Sequence, residues 1–283
     1  MTLELSSPST LLVLLLVLQP LLQILTLPRH FSISRIARLF CNLPFFATIL
    51  SYEDLPNKMS LKPLTVYYAG PGPNPPKVGI ILEELSIPYE IKMVGYGDLK
   101  QKPYTDLNPN GRAPVLQDPN TGYKIWETGA IIEYLIDQYD IEKRLTYASG
   151  LKKYELKQWL FFQVSGQGPY WGQAAWFNLF HAEKLPSAQK RYVDEIHRVV
   201  GVLDGVLGQS ENGWLVGDKI TYADLAFITW HVVLAGIFSP PEFKDQWDIT
   251  KYPHYKKWVE TMLERPAVKK VLEEQQRLVA ESS

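Results

Sequence analysis

The sequence predicts an α/β domain followed by an all-α domain, with a hydrophobic leader ahead of both. Three observations carry this reading. From Leu61 to about Lys143, short apolar strands and helical stripes run in the order β-α-β, then β-β-α. From Gly150 to the C-terminus no alternating pattern persists, and apolar residues recur at helical spacing. Between Glu4 and Glu53 the chain has no acidic residue and contains one membrane-like run.

Composition narrows the function classes. The 283 residues hold 29 basic and 30 acidic side chains, so no basic excess points to nucleic acid. The one cysteine, Cys41, excludes an internal disulfide framework and a Cys-rich metal site. Five scattered histidines show no ligand spacing, so no metal is expected.

Residues 1–60 form the leader. Leu11 to Leu27 would span roughly 26 Å as a helix, short of a ~30 Å hydrocarbon core. Gln19, Pro20 and Gln23 weaken it, and no lysine or arginine precedes it. Arg29, Arg35 and Arg38 follow it, so an anchored form would keep the rest of the chain on the cytoplasmic side. Three accounts stay open: a membrane anchor, an organelle-transit segment, or a start placed upstream of a true one at Met59. The expected location is cytoplasmic, with membrane contact only if the leader is retained.

Residues 61–143 form the first domain. Leu64 to Tyr68 is a short strand closed by Ala-Gly-Pro-Gly-Pro. Asn74-Pro75-Pro76 begins a helix, with Asn74 suited to cap it and proline welcome in the first turn. Val78, Ile81, Leu82 and Leu85 mark its apolar stripe, Pro88 ends it, and Tyr89 to Val94 reads as the next strand. Arg112 to Gln117 gives a turn, a constrained Ala113–Pro114 bond and the start of a third strand. Asn120-Thr121-Gly122 turns the chain into a fourth, Tyr123 to Trp126. Glu127-Thr128-Gly129 opens a helix with Ile131, Ile132, Leu135, Ile136 and Tyr139 on one face. This order is the thioredoxin-like arrangement.

The stretch from Asn108 to Ile131 also suggests a ligand. A helix N-terminus favours an anionic carboxylate, while Glu127 beside it can take an ammonium. A cis bond at Ala113–Pro114 would turn the Ala113 N–H and C=O outward, where an extended peptide can add like a strand. An amino-acid end at the helix and a peptide backbone at the proline together describe a γ-glutamyl tripeptide.

Residues 150–283 form the second domain. Lys153 to His181 reads as a long helix interrupted near Gly166-Gln167-Gly168-Pro169. Ser187 to Leu207 is a second helix, with Ile196, Val199, Val200 and Leu203 in register. Thr221 and Asp224 have capping-box spacing before an apolar run. Pro266, after Arg265, opens the last helix. The aromatics from Trp159 to Phe177 supply most of a core and part of a concave apolar pocket, for which Tyr170 and Trp171 are the candidates.

The motifs GPNPPKVGIILEEL, NGRAPVLQDPNTGYKIWETGAI and WLFFQVSGQGPYWGQAAWF, in that order, resemble the glutathione S-transferase family. Their wording is similar to the fungal branch that includes the nitrogen-catabolite-repression regulator and its enzymatic relatives. The resemblance runs from about Leu61 to the C-terminus. It implies the glutathione S-transferase fold, a homodimer, glutathione as co-substrate and an apolar electrophile as acceptor, in detoxification or secondary metabolism. It places the sulfur-facing group after the first strand, where Tyr67, Tyr68 and Asn74 are candidates. The asparagine of GPNP contacts the glutathione cysteine in that branch, which selects Asn74; Tyr68 stands where relatives carry serine. Because strand side chains alternate, at most one of Tyr67 and Tyr68 can face the sulfur. Asn74, Lys100, Arg112, Ala113, Pro114, Glu127 and Thr128 are the expected glutathione contacts, with Asn74 and Tyr68 the catalytic candidates. For Lys100 and Arg112 the alternative is solvated surface charge. A regulatory protein that binds glutathione without turnover, or a glutathione-dependent peroxidase or reductase, would carry the same site.

Overall fold

Alternation along Leu64–Tyr68 (β1) sets the two faces of the central sheet. Leu64, Val66 and Tyr68 are buried under helices, while Tyr67 turns the other way and its hydroxyl donates to Gln117 Oε1 at 2.7 Å. The computed structural model describes residues 61–148 and 150–282. The expectations for the leader, including Leu11 to Leu27, lie outside the described residues.

β1 pairs in parallel with Tyr89–Met93 (β2) and antiparallel with Val115–Asp118 (β3). β3 in turn pairs antiparallel with Tyr123–Trp126 (β4), giving the order β2-β1-β3-β4. A parallel pair needs a crossover, and Asn74–Glu84 (α1) supplies it. Thr128–Tyr139 (α2) follows β4 and buries Ile131, Ile132, Leu135 and Ile136. This is the thioredoxin-like arrangement that the sequence predicts.

The rest is helical. Lys152–Phe162 (α3) and Gly168–Ala175 (α4) are joined by a π-helical turn, Gln163–Gln167, and a second such turn, Trp176–Phe180, follows. The expected interruption near Gly168-Pro169 is thus a widening of the helix and not a stop. Pro169 has no N–H for the usual i−4 bond, and a π-turn absorbs the mismatch. Pro186–Leu207 (α5), Tyr222–Val232 (α6), Leu234–Ile237 (α7), Pro253–Leu263 (α8) and Pro266–Ser282 (α9) complete the order. Among the described residues, no helix is long and apolar enough to cross a membrane.

One apolar core runs from Leu64 in the sheet to Val271 in the last helix, and a smaller one around Leu99, Tyr104 and Val115 lies on the other face of the sheet. α1 sits in the middle of the larger core, packed against α2, α6 and α9. It comes so close to β1 that a Cβ on Gly79 would lie 2.6 Å from the Tyr68 hydroxyl, which requires glycine there. Arg265, just ahead of α9, clamps the buried Glu84 of α1 with two bonds of 2.6 and 2.7 Å.

The expected capping box at the start of α6 is formed. The Asp224 carboxylate, 0% exposed, accepts from Thr221 N and Oγ1, from Leu215 N and from Trp258 Nε1. Burial nevertheless pushes its pKa up against these donors. Asp224→Asn would turn amide hydrogens toward groups that are themselves donors. The variant is expected to lose about 3 kcal/mol or more of stability, which urea unfolding would measure directly.

Candidate functional site

Two helix N-termini meet beside the end of β1. Asn74 and Lys77 lie one turn apart in the first half of α1, and Glu127 and Thr128 form the tip of α2. Lys77 Nζ lies 3.4 Å from Thr128 Oγ1, which ties the two tips together.

Asn74 does not cap α1. Pro73 precedes it in helical conformation, and no side-chain cap bond forms. Instead Asn74 Oδ1 accepts from Trp230 Nε1 of α6 at 3.1 Å. An indole N–H is only a donor, so it must meet the amide oxygen. The Asn74 NH₂ makes no bond within the described residues, and the residue is partly exposed.

Tyr68 corrects an expectation. It is 1% exposed, its hydroxyl lies against Gly79 and Val271 without a partner, and burial raises its pKa well above the usual value. A phenol packed into the core under α1 cannot reach a ligand, so Tyr68 is not a catalytic group. Tyr67 is engaged with Gln117 and Tyr104 on the opposite face.

Glu127 has φ 72° and ψ 118°, an unfavourable backbone region for a side-chain-bearing residue. It is exposed, and Thr128 behind it is buried. The sequence signal, an acid before a hydroxyl at a helix start, gave the composition of this tip but not its backbone geometry.

Ala113–Pro114 is cis, as expected. Ala113 is half-exposed, and its N–H and C=O make no bond within the described residues, whereas the carbonyl of Arg112 accepts from Tyr104 Oη and Asn108 Nδ2. The Arg112 side chain is exposed and has no ion pair among the described residues. Lys100 is exposed and donates to the Asn110 carbonyl at 2.7 Å, folding over Gly111 on the same loop.

The two acceptor-pocket candidates separate. Tyr170 is half-exposed and packs on Tyr192. Trp171 is 0% exposed, with its Nε1 unpartnered, and belongs to the core; the expectation that it lines a pocket is wrong. Its position on α4 points inward, four residues after buried Gln167 and three before buried Ala174. A groove of about 1000 Å³ beside α5, lined by Gln189, His197 and Phe243, contains none of the predicted residues.

Sequence reasoning missed four residues. Lys77 is 2% exposed, and its ammonium donates to Gln163 Oε1 at 2.8 Å. Gln163 Nε2 donates to Gln167 Oε1, and Gln167 Nε2 donates to the Phe227 carbonyl. Burial draws the Lys77 pKa down to about 7, with Glu127 opposing it. The fourth, Trp230, aims the Asn74 amide. Lys77 was findable, because it stands four residues before Ile81 on the apolar stripe. Gln163, Gln167 and Trp230 are tertiary partners without a local signal.

Comparison with known proteins identifies two family domains along the chain. The model of the glutathione S-transferase N-terminal domain matches residues 62–137, and that of the C-terminal domain matches residues 172–275. The chain is 48% identical over 217 residues to the Glutathione S-transferase-like protein tpcF of Aspergillus fumigatus, covering 74% of this chain and 95% of that one. It is 35% identical to Protein URE2 of Candida albicans, covering 84% of this chain and 73% of that one. The glutathione transferase URE2P8 of Phanerochaete chrysosporium, solved with oxidised glutathione, superposes with TM-score 0.72 at 38% identity over 77% of this chain and 97% of its own. Ure2p5 of the same fungus, cocrystallised with 1-(S-glutathionyl)-2,4-dinitrobenzene, gives TM-score 0.70 at 36% identity, over 78% and 98%.

Two outcomes follow from the geometry. Tyr68→Phe removes an unpartnered buried hydroxyl, so stability should be unchanged or higher by about 1 kcal/mol, and any activity of the protein should be retained. Calorimetric melting beside an activity assay tests both. For Lys77, the folded pKa lies below the unfolded one, so the unfolded chain binds more protons between about pH 7 and 10.5. Stability relative to Lys77→Met should therefore rise with pH through that window and level off below it. Chemical unfolding of both proteins across the window checks the sign.

Proposed function

The chain belongs to the glutathione S-transferase family, and from that premise we propose that it conjugates the glutathione thiolate to an apolar electrophile. In this reading residues 61–143 hold glutathione and residues 150–283 hold the acceptor. The observation that carries it is the Asn74 amide, held at its oxygen by Trp230 so that its NH₂ is left without a bond among the described residues.

The roles divide by chemistry. The glutamyl ammonium donates to Glu127, and its carboxylate accepts from the Thr128 hydroxyl and the free N–H groups of the α2 tip. The cysteinyl backbone pairs with the Ala113 N–H and C=O ahead of Pro114. Arg112 is free to meet the glycyl carboxylate; Lys100 reaches it only by leaving the Asn110 carbonyl. The sulfur then lies near the start of α1, where the Asn74 N–H donates to it. A free thiol of pKa near 8.5 is mostly protonated at neutral pH, and the thiolate is the nucleophile. Lowering that pKa by about two units takes about 2.7 kcal/mol, within the roughly 1.5–3 kcal/mol of each hydrogen bond to a charge. The thiolate attacks the electrophilic carbon, a carbon–sulfur bond forms and the leaving group departs. The protein supplies position and one lowered pKa.

The acceptor enters from the helical side, where Tyr170 is the remaining candidate of the expected pair. Leu151, just ahead of α3, and Tyr154 and Phe161 on it are exposed, which supports a homodimer through that face. Detoxification or secondary metabolism is the setting that this chemistry suits.

A second reading has its own support. URE2P8 is described with oxidised glutathione, so the same thiolate acting on a disulfide or peroxide is the competing chemistry; formation of glutathione disulfide in place of conjugate would select it. Likeness to a protein described as the nitrogen regulation fragment of the yeast prion protein URE2P supports a regulatory role for the same site. Retention on immobilised glutathione with no product from any electrophile would select that one.

With 1-chloro-2,4-dinitrobenzene as acceptor, Asn74→Ala should lower kcat by ~10- to 100-fold and change glutathione affinity by less than about threefold. Glu127→Ala should weaken glutathione binding by ~10-fold or more before kcat suffers. The reverse pattern would show that the division of roles is wrong.

A further inference from the structure

Lys77 occupies a place where an apolar side chain would serve the fold better. It is 2% exposed within the core stripe of α1, and among the described residues its ammonium touches no carboxylate, only Gln163 Oε1 at 2.8 Å and Thr128 Oγ1 at 3.4 Å. A buried cation without an ion-pair partner costs more than an apolar group of the same volume. Its surroundings nevertheless hold it in one orientation. Gln167 Nε2 donates to the Phe227 carbonyl, so Gln167 Oε1 accepts from Gln163 Nε2, and Gln163 Oε1 faces Lys77. The sense of this chain fixes its last link. An ammonium has only hydrogens to offer, so Thr128 Oγ1 accepts and its own proton points away from Lys77.

We propose that Lys77 is a positioning residue for the anionic end of the ligand. Its buried ammonium aims the Thr128 hydroxyl outward as a donor and provides the positive field that a carboxylate at the tip of α2 meets. Binding of that carboxylate and protonation of Lys77 are therefore coupled. This rests on reading the cleft as a glutathione site.

The groups around Lys77 make the coupling specific. On α2 the charged neighbour is Glu127. The π-turn presents the neutral amides of Gln163 and Gln167, and α6 presents the Phe227 carbonyl and Trp230. On α1 itself Glu84 is held by Arg265, and from β1 comes the neutral phenol of Tyr68. An ammonium ligand group that engages Glu127 weakens the one negative field now supporting Lys77, and a ligand carboxylate bonded at Thr128, 3.4 Å from the Lys77 ammonium, more than replaces it. With burial holding Lys77 near 7, the uptake shows on the alkaline side.

Calorimetric titration of the full chain with S-methylglutathione, whose sulfur cannot ionise, tests this in buffers of different ionisation heat. At about pH 8 binding should take up roughly half a proton or more, and at about pH 6 close to none. Lys77→Met should abolish the uptake and weaken binding by ~10-fold or more at about pH 6. Lys77→Arg keeps the charge, so it should abolish uptake while holding affinity within about threefold. If the wild type binds without uptake, or Lys77→Met binds as tightly with the same uptake, Lys77 is structural and the proposal fails. If the wild type does not bind S-methylglutathione at all, the reading of the cleft fails and takes this proposal with it.

Discussion

The burial of α1 on every side is the constraint on which the rest depends. Nine of its eleven residues are buried, Lys77 and Glu84 among them. A crossover helix in this topology must cover one face of the sheet, and it would ordinarily leave its own outer face to solvent. Here α2, α6 and α9 cover it. The helical half of the chain is thus what completes the core of the sheet domain. The buried ions mark both ends of the arrangement: Glu84 is fastened to Arg265 just before α9, and Lys77 to the π-turn after α3.

The same packing makes the cleft. Asn74 and Thr128 come from the sheet domain, but the groups that orient them, Trp230 and the Gln163–Gln167 chain, come from the helical one. Gln275 of α9 adds a bond to the Gly72 carbonyl, two residues before Asn74. The strained backbone at Glu127 fits this picture, because a residue held at positive φ persists only where its surroundings over-determine it. Thr128, tied to Lys77, supplies part of that restraint.

What could be read from the sequence follows from the range of the interactions. Strand order, the α1 and α2 stripes and the Thr221–Asp224 cap are local patterns and appear where period and spacing place them. The family motifs are also local, and they named Asn74, Glu127 and Thr128. Residue type alone could not separate Tyr170 from Trp171 as a pocket wall, whereas four-residue spacing from buried Gln163 and Gln167 puts Trp171 in the core. Periodicity failed at Tyr68 because a strand gives two faces without saying which one the ligand shares. It misread Asn74 as a cap, since the rival partner, Trp230, lies 156 residues away. Lys77 was visible as a polar residue in an apolar stripe, but its meaning depended on Gln163, whose pairing no local pattern encodes.

On the proposed function, the burial of Tyr68 changes which group can meet the sulfur. A hydroxyl rotates freely and can satisfy whatever is nearest, so it needs no support to meet a thiolate. A primary amide offers an acceptor on one side and donors on the other, and reversed it would present its oxygen to the sulfur and repel it. Such a donor is useful only if it is prevented from flipping, and that requires a partner able to recognise the oxygen alone. Trp230 is such a partner, reaching Asn74 from a different helix at 3.1 Å. Electrostatic stabilisation is effective when the dipole is already aimed before charge develops, because nothing then has to reorganise. In the proposed reading, an indole N–H fixed in the core and holding the oxygen of an amide whose hydrogens stay unbonded among the described residues meets that condition without a hydroxyl.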